Sequence, residues 1–146
     1  MADTETSGGL SKEEREAVKQ RAKELREQEK AGKSREAGEK ALLEAIAQLE
    51  PEDKVLAEGL RRVVTEVAPD LVPKTYYGMP GYANSEGKMV VFIQPARKFK
   101  TRYATLGFED KATLDDGDMW SVGFAIRNWT PAVEQKVAEL VRKAVD

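Results

Sequence analysis

The sequence lacks cysteine and histidine in all of its 146 residues. The absence of cysteine excludes disulfides, thiolate-held iron–sulfur clusters and zinc sites built from Cys and His. Together, the two absences exclude Ser-His-Asp and Cys-His nucleophilic catalysis and every histidine proton relay. A chain without cysteine is compatible with the cytosol, and any metal it held would need oxygen ligands.

Long apolar runs and a predominant charge are also missing. No apolar run approaches the length of a membrane span, and the polar start MADTETSGG lacks the apolar core of a secretory signal. The 24 Lys and Arg residues and 26 Asp and Glu residues give a net charge of −2, which favours neither nucleic acid nor an acidic membrane. We therefore expect a cytoplasmic protein without membrane or nucleic-acid partners.

The N-terminal residues predict a disordered tail followed by a charged helix. Residues 1–9 are small and polar, which is typical of a disordered tail. Residues 10–32 predict a charged helical extension that begins with a Ser11–Glu14 capping box. Its thin apolar stripe consists of Ala17, Val18, Ala22 and Leu25. This pattern fits either a solvated helix that docks lightly or an appendage for a partner.

Residues 33–146 predict a single α+β domain. A hinge over residues 31–40 is followed by two amphipathic helices, and a third such helix ends the chain. Between them lie strand-like segments at 74–77, 81–84, 88–94, 101–108 and 120–126. Because the connections between these segments are short, we expect a mostly antiparallel sheet of four to five strands with helices packed on one face.

The segment KTYYGMPGYA, residues 74–83, combines turn formers with aromatic residues. Its proline and glycines argue against a regular central strand and favour a bulge or tight turn between two edge strands. The aromatic residues and methionine alternatively predict a pocket wall, because such side chains give an adaptable contact surface. In that interpretation the wall consists of Tyr77, Met79, Pro80, Tyr82 and Trp120, with Lys98, Lys100 and Arg102 at its rim.

Acidic residues cluster around the start of the helix that begins near Pro51. The cluster consists of Glu50, Glu52, Asp53 and Glu58. Carboxylates at this place complement the helix dipole, and they are also the ligands that hard or labile cations prefer. A second acidic run, DDGD at residues 115–118, lacks the spacing of a calcium loop and predicts a turn.

The order of motifs resembles the bacterial YdhG-like family, a domain of unknown function in which some members are regarded as frataxin-like intracellular iron chaperones. The resemblance covers about residues 42–145, and its most specific part is YGMP at 77–80, followed by Tyr82. It implies a compact α+β protein that is not an enzyme and that delivers ferrous iron to an iron-acceptor protein. Labile iron would then be held by Glu50, Glu52, Asp53 and Glu58.

A different function also fits the sequence. The YGMP turn and the adjacent basic loop predict a module that binds a small anionic ligand or a protein partner.

Overall fold

The computed structural model of the chain describes residues 9–31 and 35–146. Within these ranges the helices are α1 (Lys12–Ala31), α2 (Arg35–Ala47), α3 (Pro51–Val67), α4 (Ala96–Phe99) and α5 (Pro131–Ala144). The strands are β1 (Val72–Tyr76), β2 (Met79–Ala83), β3 (Met89–Gln94), β4 (Ala104–Phe108) and β5 (Gly123–Ile126). Residues 1–8 of the predicted tail and residues 32–34 of the predicted hinge lie outside the described part.

The strands form one sheet in the order β1-β2-β3-β4-β5, and every neighbouring pair is antiparallel. This order follows from the short connections, because each strand turns back beside the one before it. The predicted α+β fold, with its antiparallel sheet and charged N-terminal helix, is confirmed.

The three long helices that follow α1 supply the apolar layer over the sheet. Helix α2 packs on β1 and β2, whereas α3 packs on β3 and against α5. The largest fully buried side chains are Leu42, Leu60, Ile93, Leu106, Val91, Val141 and Pro80. Burial of one such aliphatic side chain contributes about 2 kcal/mol, so this layer provides most of the stabilisation. No described helix combines the length and the apolarity needed to cross a membrane.

Two helix starts match their sequence signals. Ser11 and Glu14 form the predicted capping box, with each side chain accepting a hydrogen bond from the other residue's backbone N–H at 2.8 and 3.0 Å. At the start of α5, Thr130 Oγ1 accepts a hydrogen bond from the N–H of Val133 at 3.1 Å. These caps fix where α1 and α5 begin.

Two local predictions are wrong. The hinge does not include Gly38, which lies inside α2 at a point where a Cβ atom would collide with the carbonyl of Pro73. The predicted tight turn is present at Tyr77 and Gly78, but it does not join two edge strands, since β2 lies between β1 and β3. A register shift in the β2–β3 pairing lies between Tyr82 and Ala83, beyond the proline.

Pro80 pairs with Thr75 in the second residue pair after the turn. At this position the N–H of any other residue would point away from β1, so the missing N–H of proline costs no hydrogen bond to β1. The pairing of β2 with β3 starts only at Gly81.

Helix α1 packs against β1 and α4 with a polar face rather than its apolar stripe. Val18 is 49% exposed and Leu25 is 51% exposed, whereas Glu24 is only 2% exposed. Among the side chains that the structure describes on α1, Ala17 is the one apolar side chain that is buried. The helix is therefore held mainly by hydrogen bonds and charges.

Candidate carboxylate-binding site at the hairpin turn

The turn between β1 and β2 is a two-residue hairpin closed by the pair Tyr76 and Met79. Its central residues both have left-handed backbones, with φ of 54° at Tyr77 and 78° at Gly78. Two positive φ values are typical of a type I′ turn, which matches the twist of the strands that it joins. Glycine adopts this conformation at no steric cost, whereas tyrosine rarely does.

The two backbone N–H groups of this turn bind one buried carboxylate. Tyr77 N–H donates to Glu24 Oε1 at 2.8 Å, and Gly78 N–H donates to Glu24 Oε2 at 2.7 Å. Hydrogen bonds to an ionised acceptor are about twice as strong as neutral ones, and here both carboxylate oxygens are used. This bidentate contact offsets the cost of removing the Glu24 charge from water.

Other polar groups of α1 surround the same turn. Arg21 Nη1 lies 3.5 Å from Glu24 Oε1, and its guanidinium carbon lies 4.9 Å from the ring centre of Tyr76 and 5.6 Å from that of Tyr77. Arg21 and Gln28 both donate to the carbonyl of Thr75, at 3.3 and 3.1 Å. The turn is thus contacted by one face of α1 through cation–π and hydrogen-bond interactions.

The basic segment after β3 reaches the turn from the other side. Lys98 Nζ donates to the carbonyl of Gly78 at 3.0 Å, and Lys100 Nζ pairs with Glu13 Oε2 at 3.0 Å. Much of Lys98 is exposed, but its ammonium lies against the turn, and burial lowers its pKa while Glu24 and Asp53 oppose that effect. The structure therefore brings together the predicted turn and the predicted basic loop.

A second buried carboxylate fixes the segment that carries these lysines. Asp53, in the first turn of α3, is 5% exposed and accepts hydrogen bonds from the N–H groups of Arg97 and Lys98 at 3.1 and 3.0 Å. These two N–H groups are at the start of α4, where they have no partner within the helix. Asp53 thus positions α4 and, with it, Lys98.

Three residues predicted to wall a pocket belong to the core. Met79 is 6% exposed, Tyr82 is 2% exposed and Pro80 is fully buried. They are buried because β2 is a central strand, all five residues of which are enclosed. Burial also raises the pKa of the Tyr82 hydroxyl. The predicted pocket wall is wrong for these three, and Tyr77 contributes to the site through its backbone N–H.

Trp120 does not join the turn. Trp120 precedes β5, which is the edge strand on the side of the sheet opposite β1. The first residue of β5, Gly123, pairs with Gly107 at the end of the sheet far from the β1–β2 turn, so Trp120 lies beyond that far end. The side chain is 40% exposed. Its predicted place in the same wall is therefore wrong, because the two positions lie at opposite edges of the sheet. Arg102 lies in a separate cleft with Lys100.

Two of the four residues predicted to bind iron have other side-chain contacts. Both oxygens of Asp53 accept backbone hydrogen bonds, and Glu52 Oε2 pairs with Arg97 at 3.2 Å. Glu50 and Glu58 are exposed. In the described part of the chain, no three acidic side chains form a group that could hold a metal ion. Iron binding by Glu50, Glu52, Asp53 and Glu58 stays a prediction.

The sequence reasoning missed Glu24, Arg21 and Gln28. They recur at intervals of three and four residues, so they share one face of a helix. A search for apolar spacing passes over such a face, because its contacts are polar. The sequence did contain one signal for this contact: Arg21, Glu24 and Gln28 form a polar helix face directly beside the apolar stripe of Val18 and Leu25.

Comparison with known proteins gives no match: no family model, curated protein or solved structure corresponds to this chain. The YdhG-like resemblance therefore stays a prediction drawn from the sequence. In the structure, the two N–H groups of the turn bind one carboxylate, that of Glu24 in the chain's own helix α1.

Proposed function

We propose that this protein is a binding module whose β1–β2 turn receives a carboxylate presented on a helix of a partner protein. The observation that carries the proposal is the bidentate grip of the Tyr77 and Gly78 N–H groups on Glu24. Glu24 of α1 occupies the place that the partner's acidic side chain would take. Partner binding then requires α1 to leave the turn.

The chemistry of the α1 contact supports such an exchange. Among the described side chains of α1, Ala17 is the one buried apolar side chain, and Val18 and Leu25 are about half exposed, so little hydrophobic free energy opposes release of α1. The remaining contacts are hydrogen bonds and ion pairs, which a partner helix can reproduce one for one. Lys98 stays beside the turn and supplies a positive charge to any carboxylate there.

This function is favoured over ferrous-iron delivery because a formed site supports it. The turn has donors that already converge on a carboxylate, whereas the predicted iron ligands are engaged elsewhere or exposed. Iron delivery and the absence of enzyme activity stay predictions of the resemblance alone.

The test uses a synthetic peptide with the sequence of residues 9–31 as the carboxylate-bearing probe. The receiving protein is the full chain with Glu24→Lys, in which the reversed charge faces Lys98 and expels α1 from the turn. We expect saturable changes in the amide NMR signals of Tyr77 and Gly78 when the peptide is added. The same peptide with Glu24→Gln should leave those signals unchanged, since an amide lacks the charge that strengthens both hydrogen bonds.

The matched control is the full chain with Glu27→Lys, which makes the same charge change at an exposed position of α1. Its turn remains filled by Glu24, so its Tyr77 and Gly78 signals should respond more weakly to the native peptide. Equal responses to the two peptides, or no saturable response in the Glu24→Lys chain, would overturn the proposal.

A further inference from the structure

A second surface, separate from the Glu24 site, forms an open cleft of about 560 Å³. Its walls come from the start of α3, from α4 and the residues after it, and from residues 126–128 at the end of β5 and beyond it. The volume lies within the range of about 300–1,000 Å³ that is usual for small-molecule sites. The cleft is therefore large enough for a metabolite of moderate size.

The cleft is lined by four cationic side chains, Arg97, Lys100, Arg102 and Arg127, and by three acidic ones, Glu50, Glu52 and Asp53. Two of the cations have acidic partners, since Arg97 pairs with Glu52 at 3.2 Å and Lys100 pairs with Glu13 at 3.0 Å. Arg97 and Glu52 are both more than half exposed, so their pairing is weak and an incoming anion can compete for the guanidinium.

The other two guanidinium groups, those of Arg102 and Arg127, form no ion pair with a described side chain. Among the side chains that the structure describes, those of residues 9–28 and 35–146, no carboxylate lies within ion-pair distance of Arg102 or Arg127. The guanidinium carbon of Arg102 lies 5.1 Å from the ring centre of Tyr103, which restricts where the group can point. Planar guanidinium groups in such positions suit bidentate contacts with carboxylate or phosphate oxygens.

The wall that carries these groups is fixed by hydrogen bonds. Asp53 binds the N–H groups at the start of α4, and Lys100 ends that helix with a left-handed φ of 56°. Thr101 N–H then donates to the carbonyl of Ala96 at 2.9 Å, and Thr101 Oγ1 donates to that of Tyr103 at 2.9 Å. A wall held in this way loses little freedom when a ligand binds, which favours affinity.

We propose that this cleft binds a small metabolite through a phosphate or carboxylate group held by Arg102 and Arg127, with Arg97 released from Glu52 to join them. The ring of Tyr103 offers an apolar surface to the rest of the ligand. This inference does not depend on the proposed partner site, because the Glu24 contact and these arginines use different groups.

The test is an NMR titration of the full chain with inorganic phosphate and, separately, with citrate, at constant ionic strength. We expect saturable amide shifts confined to residues 96–104 and 126–128, with a dissociation constant of about 1 mM or lower for one of the anions. The anion that binds more tightly identifies the group as phosphate or carboxylate.

The variant Arg102→Gln/Arg127→Gln should weaken binding by about tenfold or more, since two charge-assisted contacts to the anion are lost. The control is Arg142→Gln, an exposed cation near the end of α5 and outside the cleft, which should bind as the unmodified chain does. Two results would overturn the proposal: no saturable shift with either anion, or unchanged affinity in the double variant. Neither result bears on the peptide experiment at the turn.

Discussion

Glu24 and Asp53 are both buried carboxylates, and each binds the N–H groups of two successive residues. Glu24 holds Tyr77 and Gly78 at 2.8 and 2.7 Å, and Asp53 holds Arg97 and Lys98 at 3.1 and 3.0 Å. Their helices differ, because α3 has a full apolar face in the core whereas α1 buries little apolar surface. We therefore expect the Asp53 contacts to be permanent and propose that the Glu24 contacts, which have the same chemistry, can be released.

The difference shows that the apolar burial of a helix decides whether breaking its polar contacts releases the helix or leaves it in place. If the Asp53 bonds break, α3 stays in place because Leu56, Leu60 and Val64 remain buried, and the N–H groups of α4 lose their partner beside the core. If the Glu24 bonds break, α1 can leave, and water reaches the freed N–H groups. An N–H group that water can reach costs far less than one that stays buried.

The largest effect that this comparison predicts is on global stability. Asp53→Ala should lower the free energy of unfolding by about 3 kcal/mol, because two hydrogen bonds to a charged group are lost at a buried place. Urea unfolding followed by tryptophan fluorescence measures the change. The exposed neighbour variant Glu52→Ala removes only the surface pair with Arg97 and should cost less than about 1 kcal/mol. Equal losses in the two variants would contradict the comparison.

The sequence predicted the fold well because the fold depends on apolar periodicity. The apolar stripes of α3 and α5 face the core as expected, and the capping signals mark where α1 and α5 begin. Of the predicted strand at 120–126, Phe124 and Ile126 pack at the core, whereas Trp120 and Val122 precede β5 and are exposed. The stripe and capping signals are local, so they can be read without knowledge of the tertiary contacts.

The candidate site was predicted only in part, because it depends on contacts between distant residues. The turn was identified, yet nothing in Tyr77 indicates a left-handed backbone, and nothing in Glu24 indicates a partner 53 residues away. Met79 and Tyr82 were assigned to a pocket because aromatic and methionine side chains give an adaptable contact surface. The proline argued against a central strand, whereas the hairpin register lets a central strand accept Pro80. Because β1 and β3 flank β2, the side chains of Met79 and Tyr82 are buried rather than exposed in a pocket.

A local effect is expected when the releasable contact is removed. Glu24→Ala should increase amide hydrogen exchange in α1 by about tenfold or more, while exchange in the central strands keeps its protection, because only the docking of α1 is weakened. Exchange measured residue by residue separates the two regions. Glu27→Ala, at an exposed position of the same helix, should leave α1 protected. Loss of protection throughout the sheet of the Glu24→Ala chain would show that α1 belongs to the cooperative core.

The smallest expected effect concerns the pKa of Lys98, which lies between the two carboxylates. Burial lowers this pKa from the ordinary 10.5, and Glu24 and Asp53 each act to raise it. Glu24→Gln removes one negative charge, so the pKa of Lys98 should fall further, whereas Glu27→Gln should leave it unchanged. The Lys98 side-chain carbon shifts, followed by NMR as a function of pH, measure it directly.

The sign of this shift also links Lys98 to stability. Because the pKa is lower in the folded state than in the unfolded state, charged Lys98 opposes folding at neutral pH. That cost is relieved as the pH rises through the folded-state pKa towards 10.5. In the Glu24→Gln chain the relief should begin at lower pH. An unchanged or higher pKa of Lys98 in that chain would mean that Glu24 does not act on the ammonium, and that the charge at the turn is balanced by Asp53 alone.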